Sequence, residues 1–264
     1  MIYTDPTTID FKKYKRFFVF GCSFTNYRWP TWADIVAQEM PKAFYVNAGA
    51  SGAGNQYISA QISQHIRMFN IGANDLVAVM WSGIYREDRY KDGNWLTPGN
   101  IYTQNTYDEH YINSWVDRRG FVIRDLATID HVMSRFSTAE FDSFSMMGIP
   151  LDKQNSYSGV TADAKDRILD LIAVYSDLEK QMLPDLMTTQ FPEGWTNSYT
   201  YTDRNGEQYT DYHPSPNQYA EYLKQIGFKL SKKTLTWCEQ QDNHFSSLDH
   251  IDNFGWENPP EQLF

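Results

Sequence analysis

A chain of 264 residues is long enough to bury one large core, or one core with a sizeable insertion. Its formal net charge of −10 argues against a nucleic-acid partner held by clustered Lys and Arg, and 41% hydrophobic against 21% charged residues argues against disorder. No apolar run approaches the roughly 18 residues of a membrane-spanning helix, residues 1–15 lack the basic-then-apolar pattern of a signal peptide, and the two cysteines, Cys22 and Cys238, make no disulfide framework. The cytoplasm, or a particle assembled in a reducing compartment, is the expected location.

In chain order, a polar lead-in ends at Arg16, and Phe17, Phe18, Val19 and Phe20 then form an apolar run suited to a fully buried strand. Gly21 ends the run, and Ser23 follows two residues later, at the edge where open parallel sheets place their ligands. Such a serine can cap the next helix or turn its hydroxyl into a cleft. Trp32, Ile35, Val36 and Met40 recur at helical spacing until Pro41. Residues 44–46 read as a second strand, 47–55 as a glycine-rich bend, and 55–69 as a second helix with Ile58, Ile62, Ile66 and Phe69 on one face. Asp75 opens a third strand through Trp81. Strand, helix, strand, helix, strand implies a parallel sheet covered by helices.

Residues 83–160 break this rhythm with scattered aromatics, charges and glycines, and only short helices are expected, around 125–136. A stretch this long exceeds an ordinary connection and reads as an inserted cap or partner-binding lobe within a single domain of residues 1–264. Regularity returns at 162, with a long helix expected to end before Pro184 and a short fourth strand at 185–189. A tyrosine-rich loop at 190–210 then delivers Asp211 and His213 just ahead of a helix. Ser215 as N-cap, Pro216 in the first turn and Gln218 as capping-box partner mark that helix start. The extension 228–264 is polar and aromatic, suited to wrapping the domain or binding a protein partner. Aromatic residues are abundant, at 18 Tyr, 16 Phe and 8 Trp; those outside the apolar runs suit sugar rings or interfaces, or simply pack loops down.

A serine nucleophile needs a base within hydrogen-bond reach and a carboxylate to orient that base. Asp211 and His213 supply both groups, and the bend from Gly49 to Gly54 can aim backbone N–H groups at a developing oxyanion. Cys22, next to the strand, more naturally points into the core than into a cleft. His244, His250, Asp249 and Asp252 in the tail show no metal-ligand spacing, so no metal is expected. No phosphate-binding glycine motif occurs, so no nucleotide cofactor is expected either.

Three blocks carry a family resemblance. Phe20-Gly21-Cys22-Ser23-Phe24-Thr25 resembles the first block of the SGNH (GDSL-type) hydrolases, with Cys22 in place of the usual Asp. Asn47-Ala48-Gly49-Ala50-Ser51-Gly52 is similar to their second block, and Asp211-Tyr212-His213-Pro214-Ser215-Pro216 to their last, in the same order along the chain. The resemblance covers about 1–82 and 162–227. It implies a flavodoxin-like, doubly wound α/β sheet with a large insertion, no cofactor, and a serine esterase acting on small acyl esters. The aromatic insertion tilts that substrate toward O-acetylated carbohydrate. Ser23 would be the nucleophile, His213 the base and Asp211 its orienting group, with the N–H groups of Ser23 and Gly52, and Asn55, around the oxyanion. The chain departs from the family at two points. The spacing is Asp-x-His where the family has Asp-x-x-His, which leaves Asp203 or a backbone carbonyl as alternative orienting groups. The family's third block, G-x-N-D after the third strand, is absent. Gly72-Ala73-Asn74-Asp75 has its letters but stands before that strand, so Ser82, Arg86 or Asn55 would take the missing asparagine's role. The other reading is a non-catalytic binding or structural protein, such as a virion or assembly component, on a decayed form of this fold.

Overall fold

The computed structural model describes residues 1–102, 107–151, 162–196, 198–202 and 206–248, with side chains from 168 onward in the stretch that begins at 162. At its centre four parallel strands lie in the order β2 (Phe44–Asn47), β1 (Arg16–Phe20), β3 (Asp75–Trp81), β6 (Asp142–Met147). Phe18 of β1 pairs with Val46 on one side and Val77 on the other, and Val77 pairs with Ser143. Alternate residues feed two separate cores. Phe18, Phe20, Val77, Val79 and Trp81 pack beneath α2 (Asn55–Met68), α4 (Arg118–Ser137) and α5 (Ala162–Val174). Phe17, Val19, Leu76, Ala78 and Met80 pack beneath α1 (Trp32–Gln38), α7 (Leu186–Gln190), α8 (Pro216–Gln225) and α9 (Lys232–Ser246). A strand buried on both faces has no polar alternation, which is why β1 and β3 read as unbroken apolar runs. Burying Phe17, Phe18, Val19 and Phe20 contributes on the order of 1.5–3 kcal/mol per side chain. The architecture is a three-layer α/β/α sandwich around a parallel sheet.

Several expected boundaries move. The stretch 83–160 is not one lobe. Its second half, α4 and β6, belongs to the central sandwich, and among the described residues only the part before α4 departs from the sheet. That part holds a hairpin, β4 (Arg89–Lys91) with β5 (Asn94–Leu96), and the short α3 (Glu109–Trp115). Helix α4 is longer than its pattern suggests because Asp125 is buried among Val122, Leu126 and Ile129 and interrupts the apolar stripe. The fourth strand is β6, not 185–189. Its sequence, with Asp142, Ser143 and Ser145 among Phe144, Met146 and Met147, hides a fully buried strand behind polar side chains. Asp142 is held there by Lys13 and by the Tyr14 hydroxyl at 2.8 Å. Residues 186–190 instead form α7, because the Asp185 carboxylate accepts from Thr188 N at 2.7 Å and caps a helix start.

The long helix expected to reach Pro184 is two helices, α5 and α6 (Ser176–Glu179), separated at Tyr175. The tyrosine-rich loop contains a hairpin, β7 (Tyr199–Thr202) with β8 (Gln208–Asp211). In the C-terminal extension, residues 232–246 form α9, which buries Thr234 and Cys238 against the domain. His250, Asp249 and Asp252 lie outside the described residues, as does Asp203. No helix among the described residues is long and apolar enough to cross a membrane.

Candidate active site

Strand β1 is flanked by β2, reached by the first crossover, and by β3, reached by the second, so the chain reverses its winding direction at β1. Open α/β sheets place ligands outside the carboxyl ends of the strands at such a point. All four strands deliver a residue there. Ser23 follows β1, Ser51 and Gly52 follow β2, Arg86 follows β3 and Ile149 follows β6, and together they line one cleft of about 760 Å³.

The turn after β1 is set by Gly21. A Cβ at this position would meet the Thr25 hydroxyl at 2.0 Å and the Met80 carbonyl oxygen at 3.0 Å, so only glycine lets the chain fold back so closely. Thr25 N and Asn26 N donate to Cys22 O at 2.9 and 3.1 Å, closing one tight turn with Ser23 inside it. The second bend is tied to the first. Asn47 Nδ2 donates to Thr25 O at 2.8 Å, and Asn26 Nδ2 donates to Gly49 O at 2.9 Å. Cys22 is buried in the core beside Phe20 and Ala48 and does not line the cleft.

His213 arrives from the opposite side. It follows β8 directly and precedes α8, whose start carries the expected capping box of Ser215 and Gln218 with Pro216 in the first turn. The Trp29 indole N–H donates to Pro214 O at 2.7 Å and fixes the segment from below. His213 Nε2 stands 2.8 Å from Ser23 Oγ, and its Nδ1 stands 2.8 Å from Asp211 Oδ1. The two-residue spacing suffices because His213 N also donates to Asp211 Oδ1 at 2.9 Å, curling the histidine back over the carboxylate. Since an ionised carboxylate only accepts, Nδ1 carries the ring proton and Nε2 is left to accept from Ser23 Oγ.

Asp211 is 1% exposed. Burial alone would raise its pKa, but the hydrogen bond and charge of His213 and the hydroxyl of Tyr27 outweigh it, and the carboxyl sits below its ordinary value. Tyr27 OH donates to Asp211 Oδ2 at 2.5 Å, and its ring lies flat on the imidazole, with centroids 3.8 Å apart and planes at 18°. Nothing in the sequence pattern singled out Tyr27. Its position four residues after Ser23 was legible, but its stacking partner lies 186 positions away in the chain.

Gly52 has φ +73°, and a Cβ there would meet the Thr97 carbonyl oxygen at 2.1 Å. The loop after β5 therefore lies directly on the bend, and Thr97 Oγ1 secures it by donating to Ser51 O at 2.8 Å. Among the described residues, neither Ser23 N nor Gly52 N donates to another protein group.

Asn55 is not on the cleft wall, which corrects its expected place at the oxyanion. It is fully buried at the start of α2, where its Oδ1 accepts from Ser82 N at 2.9 Å and its Nδ2 reaches Ser82 O at 3.3 Å and Asp125 Oδ2 at 3.4 Å. Ser82 is buried too. Of the three residues considered for the missing asparagine, Arg86 alone lines the cleft, with its guanidinium donating to Ala53 O at 3.0 Å. Asp75 is at the amino end of β3, away from the cleft, where it pairs with Arg16 through contacts of 2.6 and 2.7 Å.

No protein-family model matches this sequence, and a search of curated proteins finds no match. Solved structures that resemble the chain include a catalytic mutant of an acetylxylan esterase from Geobacillus stearothermophilus, 15% identical, covering 81% of this chain and 95% of that one with a TM-score of 0.45. A GDSL-like lipase from Bacteroides thetaiotaomicron is 13% identical, covering 80% and 85%, with a TM-score of 0.40. A member of the lipolytic G-D-S-L family from Veillonella parvula is 15% identical, covering 67% and 81%, with a TM-score of 0.37. At this distance no residue role passes from those proteins to this one.

Asn55→Ala removes the acceptor of the buried Ser82 N–H and is expected to cost about 1–3 kcal/mol of stability, read as a lower urea midpoint. Ester turnover is expected to fall far less than the 100- to 1000-fold typical of a lost oxyanion donor. Asp125 gives a pH signature. Burial pushes its carboxyl up to about 6 against the pull of Arg124. The folded protein therefore keeps a proton that the unfolded chain, near its ordinary value of about 3.9, has already released. This contribution to stability is full below about pH 4 and lost as pH rises through about 6. The urea stability of the native protein relative to Asp125→Asn is expected to fall over that interval and then level off.

Proposed function

We propose that the protein is a serine ester hydrolase of the SGNH type, acting on small acyl esters, O-acetyl groups on carbohydrate foremost. The observation that carries this reading is the continuous hydrogen-bonded row from Ser23 Oγ through His213 to Asp211, with both links at 2.8 Å, at the carboxyl edge of the sheet. Each member has the partner its role requires, and the row opens on a cleft of substrate size.

In this mechanism Ser23 Oγ attacks the ester carbonyl carbon as its proton passes to His213 Nε2. The imidazolium is stabilised by Asp211, whose lowered pKa keeps it ionised. The carbonyl oxygen becomes an oxyanion facing the N–H groups of Ser23 and Gly52. Collapse of this intermediate breaks the bond to the alcohol oxygen, which takes the proton from Nε2 and leaves. Water then attacks the acyl-serine, giving its proton to Nε2, and the second collapse returns that proton to Ser23 Oγ and releases the acid. No step calls for a cofactor. The indole of Trp195, stacked on Phe24 beside His213, and the half-exposed rings of Tyr209 and Tyr212 give the cleft flat apolar faces suited to a sugar ring.

Ser23→Ala and His213→Ala are each expected to abolish release of p-nitrophenol from p-nitrophenyl acetate. Ser23→Ala should move the melting temperature little. His213→Ala should also lower it, because it strips one donor from the buried Asp211 carboxylate and the ring stacked on Tyr27. Full activity in Ser23→Ala would overturn the mechanism. Absence of turnover in the unmutated protein would favour the non-catalytic binding or structural reading. Tyr27→Phe keeps the stacked ring and loses one donor to Asp211. It is expected to lower kcat several-fold with little change in KM, and to shift the acidic limb of the pH–rate profile. An unchanged profile would confine Tyr27 to packing.

A further inference from the structure

Two of the loops at the cleft bring a backbone N–H that no other described protein group accepts, Ser23 N after β1 and Gly52 N after β2. The loop after β3 differs. Its first N–H, on Ser82, is already taken by Asn55 Oδ1 at 2.9 Å. What this loop brings to the cleft is a side-chain donor, the guanidinium of Arg86.

Arg86 is held along its whole length. Its carbonyl oxygen accepts from Arg124 Nη2 at 2.6 Å, which fixes the backbone from α4. Its stem lies against the bend after β2, so close that a Cβ on Gly54 would meet Arg86 Cβ at 2.7 Å. Its head donates through Nη1 to Ala53 O at 3.0 Å. Ala53 directly follows Gly52, and consecutive Cα atoms are about 3.8 Å apart, so the guanidinium is anchored one residue from the Gly52 N–H. The acids next to it in the chain are engaged elsewhere. Glu87 pairs with Arg89 at 2.6 Å and with Arg124 at 2.8 Å, and Asp88 accepts from Gly54 N and Tyr57 N, both at 2.8 Å. A guanidinium carries five N–H donors in a planar fork, so the bond to Ala53 O leaves others for a ligand.

We propose that the Arg86 guanidinium is a catalytic donor to the oxyanion, alongside the N–H groups of Ser23 and Gly52. This rests on the esterase reading and adds a fixed positive charge to its transition state. The ester carbonyl oxygen of the bound substrate is neutral and gains little from that charge. The tetrahedral oxygen formed by attack of Ser23 is negative, and it gains much more. The contribution of Arg86 therefore falls on kcat and hardly on KM.

The test reads p-nitrophenyl acetate turnover together with binding of benzeneboronic acid, a probe of the tetrahedral state. Ser23 Oγ adds to the boron, its proton passes to His213 Nε2, and the boron becomes tetrahedral and negative with both hydroxyls in place. Arg86→Gln is expected to lower kcat about 100- to 1000-fold, the scale of a lost oxyanion donor, with KM nearly unchanged. It should also weaken boronic acid binding about tenfold or more, the scale of one hydrogen bond to a charged group. Arg86→Lys keeps the charge without the fork and should give intermediate values. It also carries the comparison should thermal melting show that Arg86→Gln fails to fold. In Arg86→Ala, added guanidinium ion should restore part of the turnover. Turnover and boronic acid binding unchanged in Arg86→Gln, with Ser23→Ala inactive, would overturn the proposal and leave the esterase reading standing. A loss confined to KM would overturn it too, since Arg86 would then act on the bound substrate and the transition state alike. Should the unmutated protein bind the boronic acid without hydrolysing esters, weaker binding by Arg86→Gln sustains the proposal and equal binding overturns it. Absence of both turnover and binding in the unmutated protein overturns the esterase reading and this proposal with it.

Discussion

A carboxylate taken out of water must be met by donors, and the site is assembled around meeting that demand at Asp211. The group is 1% exposed and accepts from three donors: His213 N, His213 Nδ1 and Tyr27 OH. Two of these come from its own segment and one from the loop after β1. Satisfying the charge therefore requires that loop and the 208–213 segment to lie together, and that same approach brings Ser23 Oγ within 2.8 Å of Nε2. Folding energy and site geometry are not independent here. The desolvation cost of the acid is offset in the same arrangement that brings Ser23 and His213 together. Tyr27 joins both requirements, since one side chain supplies a hydroxyl to Asp211 and a ring face to His213.

The region after β3 follows a different logic. The family pattern resembled by the other blocks has an asparagine there, and in its place stand Ser82, Arg86 and the hairpin of β4 and β5. Asn55 clasps the Ser82 backbone from α2, so that segment leaves the sheet at a fixed angle. Arg124 then holds it from α4, donating to Arg86 O at 2.6 Å and to Glu87 at 2.8 Å. Asp88, further along, caps the start of α2 from outside. These contacts tie residues 82–88 to α2 and α4, and further along Thr97 lies on Gly52. A segment tied this way can change the character of the cleft without disturbing the row of Ser23, His213 and Asp211, because it shares none of the hydrogen bonds of that row.

What the sequence made legible follows the same division. The first three strands and two helices could be read because strands buried on both faces need unbroken apolar runs, and amphipathic helices need a stripe. The serine, histidine and aspartate could be read because Gly21, the capping box at Ser215 and the order of the blocks are local signals. Strand β6 could not, since its Asp142, Ser143 and Ser145 are compatible with burial only through partners elsewhere, such as Lys13 and Tyr14 for Asp142. Asp125 hid the register of α4 for the same reason. Asn55 was misplaced because its spacing from Gly52 is a local fact, whereas the direction of its side chain is decided by Ser82 and Asp125, 27 and 70 residues away. Polar residues whose partners are distant in the chain are where a pattern of neighbours stops being informative.

The charge distribution follows from that contrast as well. Thirty-three acidic residues against 23 basic ones give the molecule a surface that repels anions at long range. At physiological ionic strength this repulsion fades beyond about 8 Å, so it governs approach more weakly than it governs contact. Among the described residues that line the cleft, the charged side chains are Arg28 and Arg86, so the lining differs in sign from the molecule as a whole. That difference belongs to the loops at the sheet edge and not to the sheet.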